Sequence, residues 1–269
     1  MFATNFYEER VLNTLRGVTL PGVSSLFLGL FFNSPGETGS MGVEVNYAGY
    51  SRQPITFGVP SDENQGRGFR NTNDILFPLA TEDVGTVHAI GISDSITGGN
   101  MLLYGHLEVP LPIDAQNRPN IRAGDIAYWL SGTFSNLFKD RILENLRGTA
   151  IQGFTPRLGL FNGNPEQGGV ELSGQNYARP EVQFSAPVQQ PGDYARIANT
   201  EVVTFNSPSS PWGMWNTNVI LGPVGAGSNV PEAGGQVAPI VIVPAAMSQQ
   251  IHVNYVVRLE PQNAMVDFN

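Results

Sequence analysis

The sequence has no cysteine, only three histidines and few charges, with 14% of its 269 residues Asp, Glu, Lys or Arg. Without cysteine there are no disulfides, no thiolate metal sites and no cysteine nucleophiles. The histidines, His88, His106 and His252, are far apart. None has a second histidine or a carboxylate at metal-ligand spacing, and each falls among apolar residues in a strand pattern, so each reads as structural. Basic residues are outnumbered, 14 against 23, for a formal net charge of −9. Such a surface repels phosphate backbones and anionic lipid, and no stretch gathers enough Lys and Arg to reverse this locally. Neither nucleic acid nor a membrane is an expected partner. Long hydrophobic runs are missing too: the most apolar, Val23 to Phe32, has about ten residues, half of what a spanning helix needs. It reads as a core strand. The opening MFATNFYEER lacks the basic start and apolar core of a secretory signal, so export, if it occurs, is expected by another route.

Turn residues, in contrast, are plentiful, with 31 glycines and 20 prolines. They suit a chain of short strands joined by many turns. The strongest pattern is internal repetition. YEERVLNTLRG, Tyr7 to Gly17, returns without a gap as FKDRILENLRG, Phe138 to Gly148. Tyr7, Val11, Leu12 and Leu15 fall on one side at 3.6 residues per turn, which predicts a short amphipathic helix in each place. Asn5 and Asn136 stand where N-caps are expected, and Gly17 and Gly148 where the chain leaves in a left-handed conformation.

Further landmarks follow in the same order. Leu28 to Phe31 returns as Leu158 to Phe161, with Pro35 and Pro165 in the next turns. Glu44 with YSRQPITF is answered by Glu171 with YARPEVQF, and Asn71 to Phe77 by Asn199 to Phe205. VGTVHAIGI from Val84 aligns with WGMWNTNVI from Trp212, and the Gly98-Gly99 turn with Gly234-Gly235. DIAYWLSG, Asp125 to Gly132, is matched to QIHVNYVVRL, Gln250 to Leu259. The expected fold is therefore mainly β: two tandem antiparallel β-sandwich domains, jelly-roll-like, each preceded by a short N-terminal α-helix. Residues 1–134 form the first and 135–269 the second.

Catalytic and cofactor signatures are absent. Gly91-Ile92-Ser93 lacks the second glycine of a nucleophile elbow and reads as a turn. Asp62-Glu63-Asn64 and Glu82-Asp83 lack the alternating oxygen ligands of a calcium loop, and the glycine pairs precede no helix that could hold a phosphate. No catalytic residue, cofactor or metal ligand is assigned. Trp212 and Trp215 occupy places held by Val84 and Val87 in the first copy, which argues for core packing; the alternative is a ligand-facing pair on a sugar-binding surface. Trp129 reads as core. Tyr50 with Arg52, and Tyr177 with Arg179, mark both copies. A guanidinium stacked on the tyrosine or forked to Glu44 and Glu171 would pin the loop into the next strand, and a receptor contact is the alternative.

At these landmarks, notably YSRQ, VGTV, GGNMLLYG and AGDIAYWLSG in copy one and YARP and WGMW in copy two, the chain resembles a family of tailed-bacteriophage virion proteins described as phage tail fibre proteins. The resemblance implies a non-enzymatic structural protein on the virion exterior, assembled in the host cytoplasm with other virion proteins. It brings no active-site residues. A fibre shaft of heptads or short β-repeats is missing. A tail accessory of fibre or fibre-adaptor type and a capsid decoration subunit are therefore both expected readings, with a host-surface carbohydrate-binding module as another. Symmetric homo-oligomers are expected in each case.

Overall fold

The computed structural model describes residues 1–63, 66–190, 194–225, 230–231, 235–251, 258–260, 262 and 265–268. His252, Gly234 and the strand expected over 252–257 lie outside the described residues.

Among the described residues there are two α-helices, two single-turn 3-10 helices (Thr14–Arg16 and Pro165–Gln167) and a set of antiparallel sheets. Helix α1 (Asn5–Asn13) is followed by β1 (Phe27–Phe31), β2 (Gly66–Arg70), β3 (Gly85–Ser93), β4 (Met101–Ile113) and β5 (Ala127–Leu130). Then come α2 (Asn136–Asn145), β6 (Arg157–Phe161), β7 (Tyr194–Ala198), β8 (Gly213–Gly222) and β9 (Ala238–Ile251). In the first half β4, β3 and β1 lie side by side, extended at one edge by Phe2–Ala3 and at the other by Gln53–Pro54. A second sheet joins β5, β2 and Ser61–Glu63. The later half has β6, β8 and β9 in one sheet, and β7 between Val188–Gln190 and Met265–Asp267 in another. Every strand pair is antiparallel.

The same irregularity interrupts both long hairpins. On β4 the partners of Val87 and Ala89 are Leu111 and His106, so His88 alone stands opposite residues 107–110. On β9 the partners of Trp215 and Thr217 are Gln249 and Pro244, again four residues opposite one. A bulge of this size bends the strand and turns its side chains away from the ladder.

Some local readings shift. The helices are capped by Thr4 and Ser135, not by Asn5 and Asn136, which are the first helical residues. Ser135 Oγ accepts the Phe138 amide at 3.2 Å, whereas the Thr4 hydroxyl donates to the Met101 carbonyl at 2.7 Å and ties α1 to β4. Gly17 and Gly148 do take the left-handed conformation, with φ of 83° and 102°. Only Phe27–Phe31 of the apolar run from Val23 is strand, and Gly91 to Ser93 end β3, the turn starting at Asp94. The partner of β7 is Met265–Asp267, as the partner of β2 is β5. The closing segment that answers 123–130 is thus 261–268 rather than 250–259. Gln262, at φ 66° and donating to the Asn199 carbonyl, stands where Gly124 donates to the Asn71 carbonyl.

A single cluster of buried apolar side chains runs through both halves. Each fully buried Leu, Ile or Phe contributes about 1.5–3 kcal/mol relative to an exposed one, and α1 and α2 supply Val11, Leu12, Phe138, Ile142 and Leu143. Each helix lies between the halves, α1 on its own β4 and on β7, α2 on its own β9 and on β2. The buried Glu8 carboxylate accepts the Ala195 amide at 2.7 Å. Asp140 takes Arg67 in a fork, Nε at 2.6 Å and Nη2 at 3.1 Å.

Between the halves the contacts are reciprocal. Leu20 and Ile151 exchange two amide-to-carbonyl bonds, each 2.9 Å. Val23 donates to the Asn145 carbonyl at 3.0 Å and Phe154 to that of Thr14 at 2.9 Å. Arg16 Nε reaches the Phe184 carbonyl at 3.3 Å while Arg147 Nε reaches that of Phe57 at 3.2 Å. Residues 20, 23, 14 and 16 correspond to 151, 154, 145 and 147 by one shift of 131, so each contact is met again with the roles exchanged. Such an exchange defines a two-fold, isologous joint.

Glycine sets the spacing there. A Cβ on Gly22 would run into the Gly148 carbonyl, and one on Gly153 into the Gly17 carbonyl. We expect Gly22→Ala and Gly153→Ala each to destabilise the protein by about 1–3 kcal/mol, as overpacked sites do, by similar amounts in urea unfolding. An unchanged midpoint for either variant contradicts this close approach.

Candidate functional site

The tyrosine and arginine that mark both halves form one construction made twice. Glu44 follows β1 in the chain and bridges to Phe31, placing its carboxylate beside Gly29. Arg52 forks onto it, Nε to Oε1 and Nη2 to Oε2, both at 2.8 Å. The Tyr50 hydroxyl accepts the Leu30 amide at 2.9 Å and donates to Glu44 Oε1 at 3.2 Å. Arg52 Nη1 continues to the carbonyls of Ser95 and Gly98, at 3.2 and 2.8 Å, and so holds the turn between β3 and β4.

In the later half Arg179 forks onto Glu171 with two 2.8 Å bonds. Tyr177 takes the Leu160 amide at 3.0 Å and gives its proton to Glu171 at 2.9 Å. Arg179 Nη1 lies 3.3 Å from the Pro231 carbonyl. This second clamp is the drier, with side-chain exposures of 6% and 16% for Arg179 and Glu171 against 13% and 28% for Arg52 and Glu44.

Burial pushes the Tyr50 hydroxyl well above its ordinary range, although the Leu30 amide pulls the other way. Burial, and after it the Glu171 carboxylate, does the same to Tyr177. Hydrogen bonding to the glutamates holds both guanidinium groups charged. The guanidinium nitrogens and the tyrosine hydroxyl of each clamp all donate to protein, and the carboxylate is spent on its own arginine and tyrosine. The arrangement fastens loops rather than activating a nucleophile or a water.

The tryptophans divide. Trp212 is 5% exposed, stands edge-on to Tyr177 with ring centres 5.1 Å apart, and donates to the Gln175 carbonyl at 3.0 Å. Trp215 is half-buried against the core. Trp129, read as core, is instead only partly buried, outside the core cluster, and lines an open groove with His106 and Arg70. Its place was legible in the alternation of β5, where Tyr128 and Leu130 point inward. His88 and His106 are exposed on their strands rather than packed among apolar neighbours. Among the described residues no group of three or more His, Asp or Glu side chains could hold a metal ion, and no helix is long and apolar enough to cross a membrane.

The joint residues Arg16, Arg147 and Asn145, and Asp140, which pairs with Arg67 on β2, carried no sequence signal of their contacts. Neither did buried Asn71, whose amide group donates to the Asn73 and Arg122 carbonyls at 2.9 and 2.8 Å. Asn199 repeats this with the carbonyls of Glu201 and Glu260, at 2.8 and 2.9 Å.

Two outcomes test the clamps. Arg179→Ala strands a nearly buried carboxylate and should cost about 3–5 kcal/mol, whereas Arg52→Ala, more exposed, should cost less; equal small losses in chemical denaturation contradict the clamp. The second concerns alkaline pH. Tyr7, Tyr50, Tyr128 and Tyr177 are all raised above the ordinary 10.0, so the folded state binds protons that the unfolded chain releases. Their contribution is complete below pH about 10 and is lost as pH climbs from there towards the folded values. Phenolate absorbance from these four should therefore appear together with unfolding, and gradual ionisation in the folded state contradicts it.

No curated protein matches the chain. Residues 3–128, which reach from α1 into β5 and include the first clamp, match the family model described as podophage GP4 fiber I protein gp80, so the first half of the chain is similar to a phage tail fibre family.

Proposed function

We propose that the chain is a non-enzymatic structural subunit on the outside of a tailed-phage virion, an accessory of the tail of fibre or fibre-adaptor type. The observation that carries this reading is the match of residues 3–128 to a fibre family, which favours tail over capsid decoration. The clamps support a structural role, because their charged groups are consumed in fastening turns. Trp212, buried and hydrogen-bonded inside the second clamp region, supports core packing in place of a ligand-facing role there.

The subunit arose by duplication of one domain, residues 1–134 and 135–269. The paired clamps, the paired bulges and the reciprocal joint support this, since two independent folds would not share them. One chain then presents what two copies of a single-domain relative would present as a dimer. It assembles in the host cytoplasm with other virion proteins, as a homo-oligomer around the tail.

Gold-labelled protein added to virions lacking it, and located by electron microscopy, tests the placement. Label confined to the tail is the expected result. A regular array over the head overturns the tail reading in favour of decoration.

A further inference from the structure

The groove beside Trp129 takes no part in either the joint or the clamps. It has a volume of about 760 Å³ and lies between the bulge of β4 and the strand β5, a size within the range of small-ligand sites. Arg70, His106, Glu108, Asn120, Asp125 and Trp129 line it. Three features set it apart from ordinary surface.

First, the indole is not required by the fold. Trp129 pairs with Gly68 on β2, and the corresponding pair in the later half is Asp267 with Arg196. The half that keeps the clamp does not keep the tryptophan. Second, β2 passes close beside it, since a Cβ on Gly68 would come within 2.5 Å of the Tyr128 carbonyl and 2.8 Å of the Trp129 Cβ. Third, the bulge carries Glu108 and Val109 outward, Val109 being 79% exposed, and forms one wall of the groove. Arg70 and Asp125 are held in place, the first by the Gly124 carbonyl and the second by the Arg122 amide, both at 3.1 Å.

The lining decides the ligand class. Two carboxylates stand with one guanidinium, one imidazole and Met1, whose α-amino group burial makes easier to neutralise, so the groove offers no excess of positive charge, in a chain whose net charge is −9. Phosphates and polyanionic glycans are disfavoured. A partly exposed indole beside planar carboxylate, amide, imidazole and guanidinium groups instead suits a neutral ligand with an apolar face and many hydroxyls.

We propose that this groove binds a neutral saccharide, stacked on Trp129, with its hydroxyls held by Asp125, Arg70 and His106. The site is built from residues of the first half. It deepens the tail reading, on which its biological use rests, by giving the subunit a contact with host-surface glycan.

The test uses the full chain on a microarray of neutral and acidic bacterial oligosaccharides, followed by titration of the strongest binder. Binding to neutral members is expected, weakened about tenfold or more by Trp129→Ala and also weakened by Asp125→Asn. Asp125 is exposed, so its variant should melt with the parent and keeps the test open if Trp129→Ala fails to fold. Binding to no member, binding to acidic members alone, or full affinity in Asp125→Asn together with a folded Trp129→Ala overturns the proposal. The two readings fail separately: label on the tail with no glycan binding overturns only the groove, and glycan binding with label on the head overturns only the tail placement.

Discussion

Two hydrogen bonds between Leu20 and Ile151 set the relation of the halves. They can form only if both segments arrive extended and close, which Gly22 and Gly153 permit by passing directly over the carbonyls of Gly148 and Gly17. From that crossing each helix is laid between the halves, α1 against β4 and β7 and α2 against β9 and β2. Neither half therefore completes its own core. Helix α1, at about nine residues, is too short to be stable in isolation and depends on the apolar face it buries elsewhere. A side chain at either glycine would separate the crossing backbones and withdraw both helices together.

The clamps work at shorter range. A carboxylate taken out of water is costly unless its oxygens are bonded, and each glutamate here accepts a forked guanidinium and a tyrosine hydroxyl. An apolar substitute could supply comparable packing, but it could not fix the loop between β3 and β4 through the Ser95 and Gly98 carbonyls. The ion pair contributes position more than net stability.

Much of the local structure could be read from the residues. The periodicity of Tyr7, Val11, Leu12 and Leu15 gave α1, Gly17 and Gly148 gave its sharp exit and that of α2, and the spacing of Glu44, Tyr50 and Arg52 contained the clamp. What could not be read was distant pairing. The segments VTLPGV and TAIQGF look like loops, and nothing local says that they bond to each other. The closing strand was misplaced because the shift between matching residues changes along the chain, from 128 at β2 and β7 to 138 at Gly124 and Gln262. A non-glycine residue holding a positive φ hid the landmark. Trp129 departs from the core reading for a different reason: the alternation of β5 gives the inner face to Tyr128 and Leu130 and the other face to Trp129.

Native-state hydrogen exchange across the joint tests the central claim, that the halves stand or fall together through one reciprocal crossing. The amides of Leu20, Val23, Ile151 and Phe154 should exchange only through global unfolding, all four with the same free energy and denaturant dependence as the most protected amides of β3 and β8. Exchange of these four through a smaller opening, with the strands of either half still protected, would show that each half holds its fold without the joint and would contradict the account.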